Sequence, residues 1–199
     1  MNFNPQCFAK PLCAGLIVLS LGLPMAAVNA ADYQIDTTGA HASIHFKIPH
    51  LGYSYLLGRF DSFSGSFSYD SNNPGAAKAS VVVKTASLNS NHAERDKHLR
   101  GADFLDVDKF PEASFVSTKF TSADGKTGQL EGNLTLHGVT KPITIAVTKV
   151  GEGNDPWGGY RAGFSGTTTL ILKDFGINFN LGPASTQVEM ELQVEGVRK

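Results

Sequence analysis

Side chains of alternating polarity run through most of this chain and constrain its fold more than any other feature of the sequence. Between Ser62 and Tyr69, Phe63 and Phe67 share one face with Tyr69, while serines occupy the other face. Residues 187–195 likewise alternate valine, methionine and leucine with glutamate and glutamine. Side chains in a β-strand alternate between two faces, so one face of each segment meets an apolar interior and the other meets water. The pattern predicts an antiparallel, all-β domain.

Nine segments fit the strand pattern and are separated by short turn-forming stretches. They are residues 33–36, 42–48, 60–69, 79–85, 113–121, 129–137, 143–150, 161–172 and 186–195. Consecutive antiparallel strands form a meander, and closing a meander into a barrel removes its exposed edges. Face alternation predicts these inward side chains: Ile44, Phe46, Ile48, Val81, Val83, Leu130, Leu134, Leu136, Ile143, Ile145, Val147, Phe164, Leu170 and Leu172.

One stretch interrupts the strands and carries helix signals at both ends. Asn91 is placed to cap a helix, with Glu94 three residues later completing a capping box. Gly101 suits the position just after the last helical residue. We therefore predict one short helix over residues 92–100, followed by an apolar stretch, residues 102–111, that lies on the mouth of the barrel.

The first segment, residues 1–30, has the composition of a secretory signal peptide. Its one charged residue is Lys10, and an apolar run of about twelve residues, 12–23, is shorter than the roughly 20 that a membrane-spanning helix needs. Pro24 then precedes a stretch of small residues. We expect cleavage after Ala30 and no membrane span in the mature chain, with an uncleaved anchor as the less favoured alternative.

Cleavage leaves residues 31–199 as one domain of 169 residues, and loss of a single lysine changes the net charge from −1 to −2. This balance provides no basic stripe for nucleic acid, so no nucleic-acid partner is expected. Both cysteines, Cys7 and Cys13, lie in the leader. The mature domain therefore lacks disulfides, a cysteine nucleophile and thiolate metal ligands, and its stability must come from buried apolar surface.

The sequence contains no readable catalytic or metal-binding cluster. His41 and His45 share one face of a strand but lie about 13 Å apart, too far to share one ion. Residues 163–166 lack the spacing of a serine nucleophile elbow. Glu189 and Glu191 alternate with apolar residues and face solvent. We therefore predict neither catalytic residues nor a metal site.

Inward-facing phenylalanines permit two interpretations. They fill a solid core more often than they line a ligand cavity, and alternation alone does not distinguish these cases. A closed ring of such strands can also enclose an apolar space. A binding protein for an apolar ligand is therefore the first functional hypothesis from the residues themselves.

Four segments of the chain resemble the YceI-like family. They are HAERDKHLRGADFLDVDKFPEASF at residues 92–115, LTLHGVTKPITI at 134–145, DPWGGYRAGFSG at 155–166 and LKDFGINFNLGPAS at 172–185. The resemblance extends from Tyr33 to Gly196 in one continuous order and includes the leader. It implies an eight-stranded antiparallel up-and-down barrel, lipocalin-like, with one short helix near the barrel mouth.

The resemblance also implies an exported, homodimeric protein of the periplasm. Its apolar tunnel is expected to hold an isoprenoid lipid, such as an isoprenoid quinone or a polyprenyl phosphate, as a ligand and not as a required cofactor. Two further segments keep the family pattern, GRFDSFSGSFSYD at residues 58–70 and HLGYS at residues 50–54. Face alternation and resemblance together give these candidate ligand-binding residues: Phe46, His50, Phe60, Phe63, Phe67, Val83, Arg95, Phe104, Phe115, Leu134, Phe164 and Leu170.

The leading hypothesis is a non-catalytic periplasmic binding or carrier protein for isoprenoid lipid, linked to envelope stress. Arg95, on the predicted helix, is the candidate partner of a polar head group. Two alternatives stay open. One is an enzyme acting on a bound isoprenoid lipid, and the other is an outer-membrane barrel. Glutamates along one face of the last strand disfavour the latter, since such barrels present an apolar band to lipid.

Overall fold

The chain folds as an antiparallel β-barrel with one short helix. The computed structural model describes residue 1, residues 30–179 and residues 182–199, so the predicted signal peptide lies outside the described residues except at its ends. The elements are β1 (Ala31–Ile35), β2 (Ser43–His50), β3 (Ser54–Phe60), β4 (Phe63–Tyr69), β5 (Lys78–Lys84), β6 (Leu88–Asn89), α1 (Ala93–Arg100), β7 (Glu112–Thr121), β8 (Thr127–Leu136), β9 (Val139–Asn154), β10 (Tyr160–Ile171) and β11 (Gln187–Arg198).

Eight of these strands close into a ring. Their order is β1, β4, β5, β7, β8, β9, β10 and β11, and pairing of β1 with β11 completes the circle. Every pair is antiparallel. Because the strands close into a circle, the ring has no open edge. The predicted eight-stranded, lipocalin-like barrel with a single short helix is confirmed.

The hairpin of β2 and β3 extends the wall at one end of the ring. The strand β11 pairs with β1 through residues 196–198 and with β2 through residues 189–193, so the two strands share one side of β11. The short β6 then pairs with the last two residues of β3. The sequence assignment missed β3, because its Tyr-Leu-Leu run interrupts strict alternation and merged its end with β4.

The two ends of the barrel are filled differently. At the closed end, Tyr33 stacks on Phe67 with ring centroids 4.8 Å apart, and Phe164 packs edge-on against Phe67 and Tyr69 at 5.5 and 5.0 Å. This closed-end aromatic cluster is tightly packed, and Ala162 within it is fully buried. At the other end, a second cluster is formed by Phe46, Leu88, Phe104, Leu105 and Ile177.

The helix begins one residue later than the capping pattern predicts. His92, not Asn91, is the N-cap, and its ring Nδ1 accepts a hydrogen bond from the Arg95 N–H at 3.2 Å. Asn91 adopts a left-handed backbone with φ of 61°, which excludes it from the capping position. Gly101 ends the helix with φ of −72°, so it is the C-cap without the left-handed turn that was expected.

In the part of the chain that the structure describes, no helix has the length and apolar character needed to cross a bilayer.

Candidate functional site

The barrel encloses a large apolar cavity. Its volume is about 870 Å³, and its wall is predominantly apolar. The wall extends from the closed-end aromatic cluster, at Phe67 and Tyr69, to Leu51 and Gly182 at the open end. Sites for small molecules commonly have volumes of about 300–1,000 Å³ and apolar walls, so the interior has the dimensions of a ligand site.

The structure places all twelve candidate ligand-binding residues on the wall of this cavity. The fourteen side chains that face alternation assigns to the interior also line it. The described cavity therefore selects between the two interpretations of the inward phenylalanines, because a filled core would leave no such space. Contact of any of the twelve with a ligand stays a prediction.

Glycines on neighbouring strands explain why the large aromatic rings leave the centre open. A Cβ atom built on Gly132 would lie 2.4 Å from Cζ of Phe115, and one on Gly58 would lie 2.2 Å from Cζ of Phe46. Each ring therefore lies against the backbone of the adjacent strand, in space that any other side chain would occupy. These Phe–Gly pairs keep the rings on the wall and leave the volume between them free.

Polar side chains line the cavity at both ends, with Ser68 and Lys78 beside Tyr69 and a second group near the open end. His50, Arg95, His98 and Ser185 all line the cavity there. Arg95 is fixed by donating from Nε to Ser90 Oγ at 2.8 Å and from Nη2 to the Ser90 carbonyl oxygen. This arrangement holds a positive charge beside the opening, among the other polar side chains of that end.

An ion-pair network lies on the outer surface near the closed end, here called the Arg161 cluster (Asp36, His41, Asp155, Arg161 and Glu195). Nη1 of Arg161 donates to Asp36 Oδ2 at 2.7 Å and to Glu195 Oε1 at 2.6 Å, while Nε donates to Asp155 Oδ2 at 2.9 Å. These carboxylates come from the loop after β1, the β9–β10 connection and β11. One guanidinium therefore joins three separate segments.

The Arg161 guanidinium, followed by His41 and the Gly39 N–H, holds the pKa of the Asp36 carboxyl well below its ordinary value. The pKa of Asp155 is lowered by its hydrogen bond from the Gly159 N–H and then by Arg161. Both carboxyls are therefore ionised in the folded barrel at neutral pH, and their charges are compensated by the protein.

Three of these side chains are of the metal-ligating type. Among the described residues, ligand atoms of Asp36, His41 and Glu195 lie within 4.8 Å of one another. His41 Nδ1 is 3.0 Å from Asp36 Oδ2 and 3.7 Å from Glu195 Oε1. Because Arg161 already donates to both carboxylates, we interpret the group as part of the network that joins the strands.

Sequence reasoning missed several wall residues. Leu56, Leu88, Leu99, Leu105, Phe120 and Ile177 also line the cavity. Leu56 has the same parity as Phe60 on β3 and was detectable by extending that strand backwards. The others lie on β6, on the helix, in irregular segments or at the end of a strand, where period-two alternation gives little signal. The role of Gly132 and Gly58 required the register between strands, which one segment of sequence does not contain.

Comparison with known proteins places this architecture in a family. Residues 33–196 match the model of the YceI-like domain. A UPF0312 protein of Shewanella sp. (strain ANA-3) is 62% identical over 190 residues, covering 96% of this chain and 99% of the relative. A UPF0312 protein of Shewanella baltica (strain OS185) is also 62% identical, over 192 residues, with the same coverage.

Solved structures share the fold. The crystal structure of the Campylobacter jejuni YCEI protein matches with a TM-score of 0.69 and 29% identity, covering 76% of this chain and 90% of that chain. A polyisoprenoid binding domain from Saccharophagus degradans matches with a TM-score of 0.60 and 16% identity, covering 85% of this chain and 99% of that chain, which shows the fold alone. On the match of its whole barrel domain and the identity to these relatives, the chain belongs to the YceI-like family.

Proposed function

We propose that this protein is exported to the periplasm and there binds isoprenoid lipid, without catalysis, as a store or carrier. The cavity of about 870 Å³ is the observation that carries the proposal, because its wall is predominantly apolar. The solved domain from Saccharophagus degradans that shares the fold is described as polyisoprenoid binding, which supports the same ligand class. Homodimer formation and a link to envelope stress stay predictions from the family resemblance.

The physical basis of binding is burial of the apolar chain. Transfer of apolar surface from water contributes roughly 25 cal/mol per Å², so each isoprene unit that enters the barrel increases affinity without a directional bond. The polar head, whether a quinone ring or a phosphate, would remain at the open end beside Arg95, His98 and His50. This orientation lets the depth of the cavity select chain length and the opening select the head group.

The wall and the outer surface have opposite polarity, which favours a water-soluble carrier over an outer-membrane barrel. On β11, Val188 and Met190 line the cavity, whereas Glu189 and Glu191 are exposed on the outside. A bilayer-embedded barrel needs the reverse, with an apolar outer band. Purification of the mature protein without detergent tests this distinction.

A matched pair of variants tests binding directly. Leu134→Trp introduces a larger, inward-facing side chain on β8. Asn133→Trp introduces the same side chain one residue earlier, on the exposed face. The proteins are purified from native expression, extracted with organic solvent and analysed by mass spectrometry. We expect isoprenoid lipid with the wild type and Asn133→Trp, and severalfold less with Leu134→Trp. Wild-type protein that is repeatedly free of isoprenoid would overturn the proposal.

The head-group role of Arg95 has a separate test. Replacement of Arg95 by Ala removes the charge at the opening but leaves the apolar wall intact, so we expect a changed distribution of extracted lipids and lower occupancy by lipids with anionic heads. The same lipids at the same occupancy would show that Arg95 does not contact the head group.

The enzyme alternative predicts turnover of the bound lipid. His50 lines the cavity, whereas His92 caps the helix and is exposed. Recovery of unchanged isoprenoid after prolonged incubation supports binding alone. A product whose formation is lost in His50→Ala would replace the proposal with catalysis.

A further inference from the structure

An exposed apolar patch surrounds the open end of the cavity. Of the eight exposed large apolar side chains that the structure describes after residue 30, five lie there, and we call them the rim: Leu51, Tyr53, Tyr55, Leu57 and Phe179. Tyr53 is 87% exposed and Leu51 is 56% exposed. Scattered apolar residues on a surface are ordinary, but their concentration at one place marks an interaction surface.

Four rim residues lie on a hairpin that overhangs the opening. The pairing of β2 with β11 ends at Lys47. Beyond Lys47, the one strand pairing described for residues 48–50 is with residues 54–56. Residues 48–57 therefore form a two-stranded ribbon that projects past the ring. A ribbon of this kind presents a narrow, convex tip and not a flat face.

Leu51, at the tip of the hairpin, has a backbone conformation that is unusual for leucine. The Tyr53 N–H donates to the His50 carbonyl oxygen at 2.9 Å, and Leu51 and Gly52 have φ of 51° and 80°. Leu51 and Gly52 are the two central residues of this turn, and both have positive φ. Asparagine or glycine is favoured at the first of these positions, whereas a bulky leucine there is energetically unfavourable. The turn does not explain Leu51, whose side chain lines the cavity and is also 56% exposed, so we infer a role for it at the opening.

The rim is continuous with the cavity wall. Leu51 lines the cavity and is also exposed. Ser185 Oγ donates to the Pro49 carbonyl oxygen at 2.6 Å, which joins the hairpin to the segment leading into β11, its neighbour in the wall. The Phe179 ring is 4.9 Å from that of Phe104, a residue of the wall. An apolar path therefore leads from the exposed tip into the barrel.

We propose that the rim docks on a phospholipid bilayer, with the hairpin tip inserted among the lipid head groups, so that an apolar chain moves between bilayer and cavity without crossing water. The inference rests on the proposed function, because an isoprenoid outside the barrel resides in a membrane. Tyrosines partition to the membrane interface, and leucines insert into its apolar part. A convex tip enters a soft bilayer readily, whereas a second copy of this chain would need a matching groove.

Vesicle binding tests the docking step on its own. The probes are vesicles of phosphatidylethanolamine and phosphatidylglycerol that contain no isoprenoid, and co-flotation measures the bound fraction. Tyr53→Ser/Tyr55→Ser removes two exposed rim side chains that do not line the cavity, so this variant should fold and keep its capacity for ligand. The matched control, Val116→Ser/Val150→Asn, removes two exposed apolar side chains outside the rim. We expect roughly tenfold weaker binding for the rim variant and unchanged binding for the control.

Tryptophan fluorescence gives a site-specific measurement. The chain has one tryptophan, Trp157, in the β9–β10 connection outside the rim. Brominated phospholipids should leave Trp157 unquenched in the wild type, whereas they should quench the new tryptophan in Tyr53→Trp/Trp157→Phe. Quenching of Trp157 alone would overturn the proposal.

Further outcomes separate this inference from the proposed function. Transfer of ubiquinone from vesicles should slow roughly tenfold in the rim variant, while its capacity for ubiquinone added in detergent stays unchanged. Equal vesicle binding by rim variant and wild type would overturn membrane docking and leave lipid binding intact. Loss of self-association by the rim variant, without any change in vesicle binding, would assign the rim to contact with a second copy instead. Wild-type protein that docks but never holds isoprenoid would contradict the proposed function alone.

Discussion

The closed end and the open end of this barrel are built from the same alternating strands, yet they differ in what the apolar residues contact. At the closed end, Tyr33, Phe67 and Phe164 contact one another, and the Arg161 cluster joins three segments outside them. Towards the open end, Phe46 and Phe115 line the cavity against glycines, as Phe67 lies against Gly196 at the closed end. The rings of Phe46 and Phe60 are 6.0 Å apart, farther than those of the closed-end aromatic pairs. The comparison indicates that one end supplies stability and the other supplies volume for a ligand.

The largest expected effect is loss of stability at the closed end. Phe67→Ala removes a ring that stacks on Tyr33 and packs against Phe164. We expect the free energy of unfolding to fall by about 3–5 kcal/mol, as for buried aromatic side chains generally. Phe60→Ala should cost at least about 1 kcal/mol less, because the Phe60 side chain is only partly buried whereas Phe67 is buried. Urea unfolding measures both values, and equal losses would remove the distinction between the two ends.

The second effect concerns the Phe–Gly pairs. Gly132→Ala places a methyl group where the Phe115 ring lies, so the ring must move towards the cavity. We expect a loss of about 1–3 kcal/mol in stability and a lower capacity for lipid. Gly151→Ala is the control, because no atom lies within 4 Å of its added Cβ. If both variants bind as much lipid as the wild type, the glycines do not preserve the cavity.

The third effect is a dependence of stability on pH. Folding lowers the pKa of Asp36 and Asp155 from the ordinary value of 3.8, so their contribution to stability is fully present above about pH 4 and is lost as pH falls through the lower folded values. We expect the wild-type melting temperature to fall below pH 4 more steeply than that of Asp36→Asn. At pH 7 the variant should melt several degrees lower. Parallel pH profiles would contradict the assignment to Asp36.

The smallest effect is expected at the hairpin tip. Leu51→Asn replaces a bulky residue at φ of 51° by one that tolerates this conformation. Thermal unfolding should show no loss of stability and a gain of up to about 1 kcal/mol. A clear loss would mean that Leu51 contributes to packing at the open end and would weaken the case for its role in membrane docking.

Much of the barrel was predictable because alternation depends on local sequence. Every side chain assigned inward, from Ile44 on β2 to Leu172 after β10, lies on the cavity wall. The hollow interior was not predictable from alternation, because a filled core and a lined cavity have the same period. The difference depends on which residue of the neighbouring strand lies beside each phenylalanine, as Gly58 lies opposite Phe46, and this is set by strand register.

Other errors have local causes. The N-cap was assigned to Asn91 on side-chain preference, but the left-handed backbone of Asn91 moves the cap to His92. The predicted strands 129–137 and 143–150 leave residues 138–142 as the turn between them. This turn is shorter in the structure, since His137 and Gly138 form it and β9 begins at Val139. The Arg161 cluster joins residues distant in sequence, so no motif could have indicated it.

Native mass spectrometry of the protein, purified from its native host without detergent, tests the central claim most directly. The account predicts a folded species whose mass exceeds that of the mature chain by one isoprenoid lipid per barrel. Collisional activation should release this lipid intact. A folded protein that shows only the mass of the mature chain, in repeated preparations, would contradict the account.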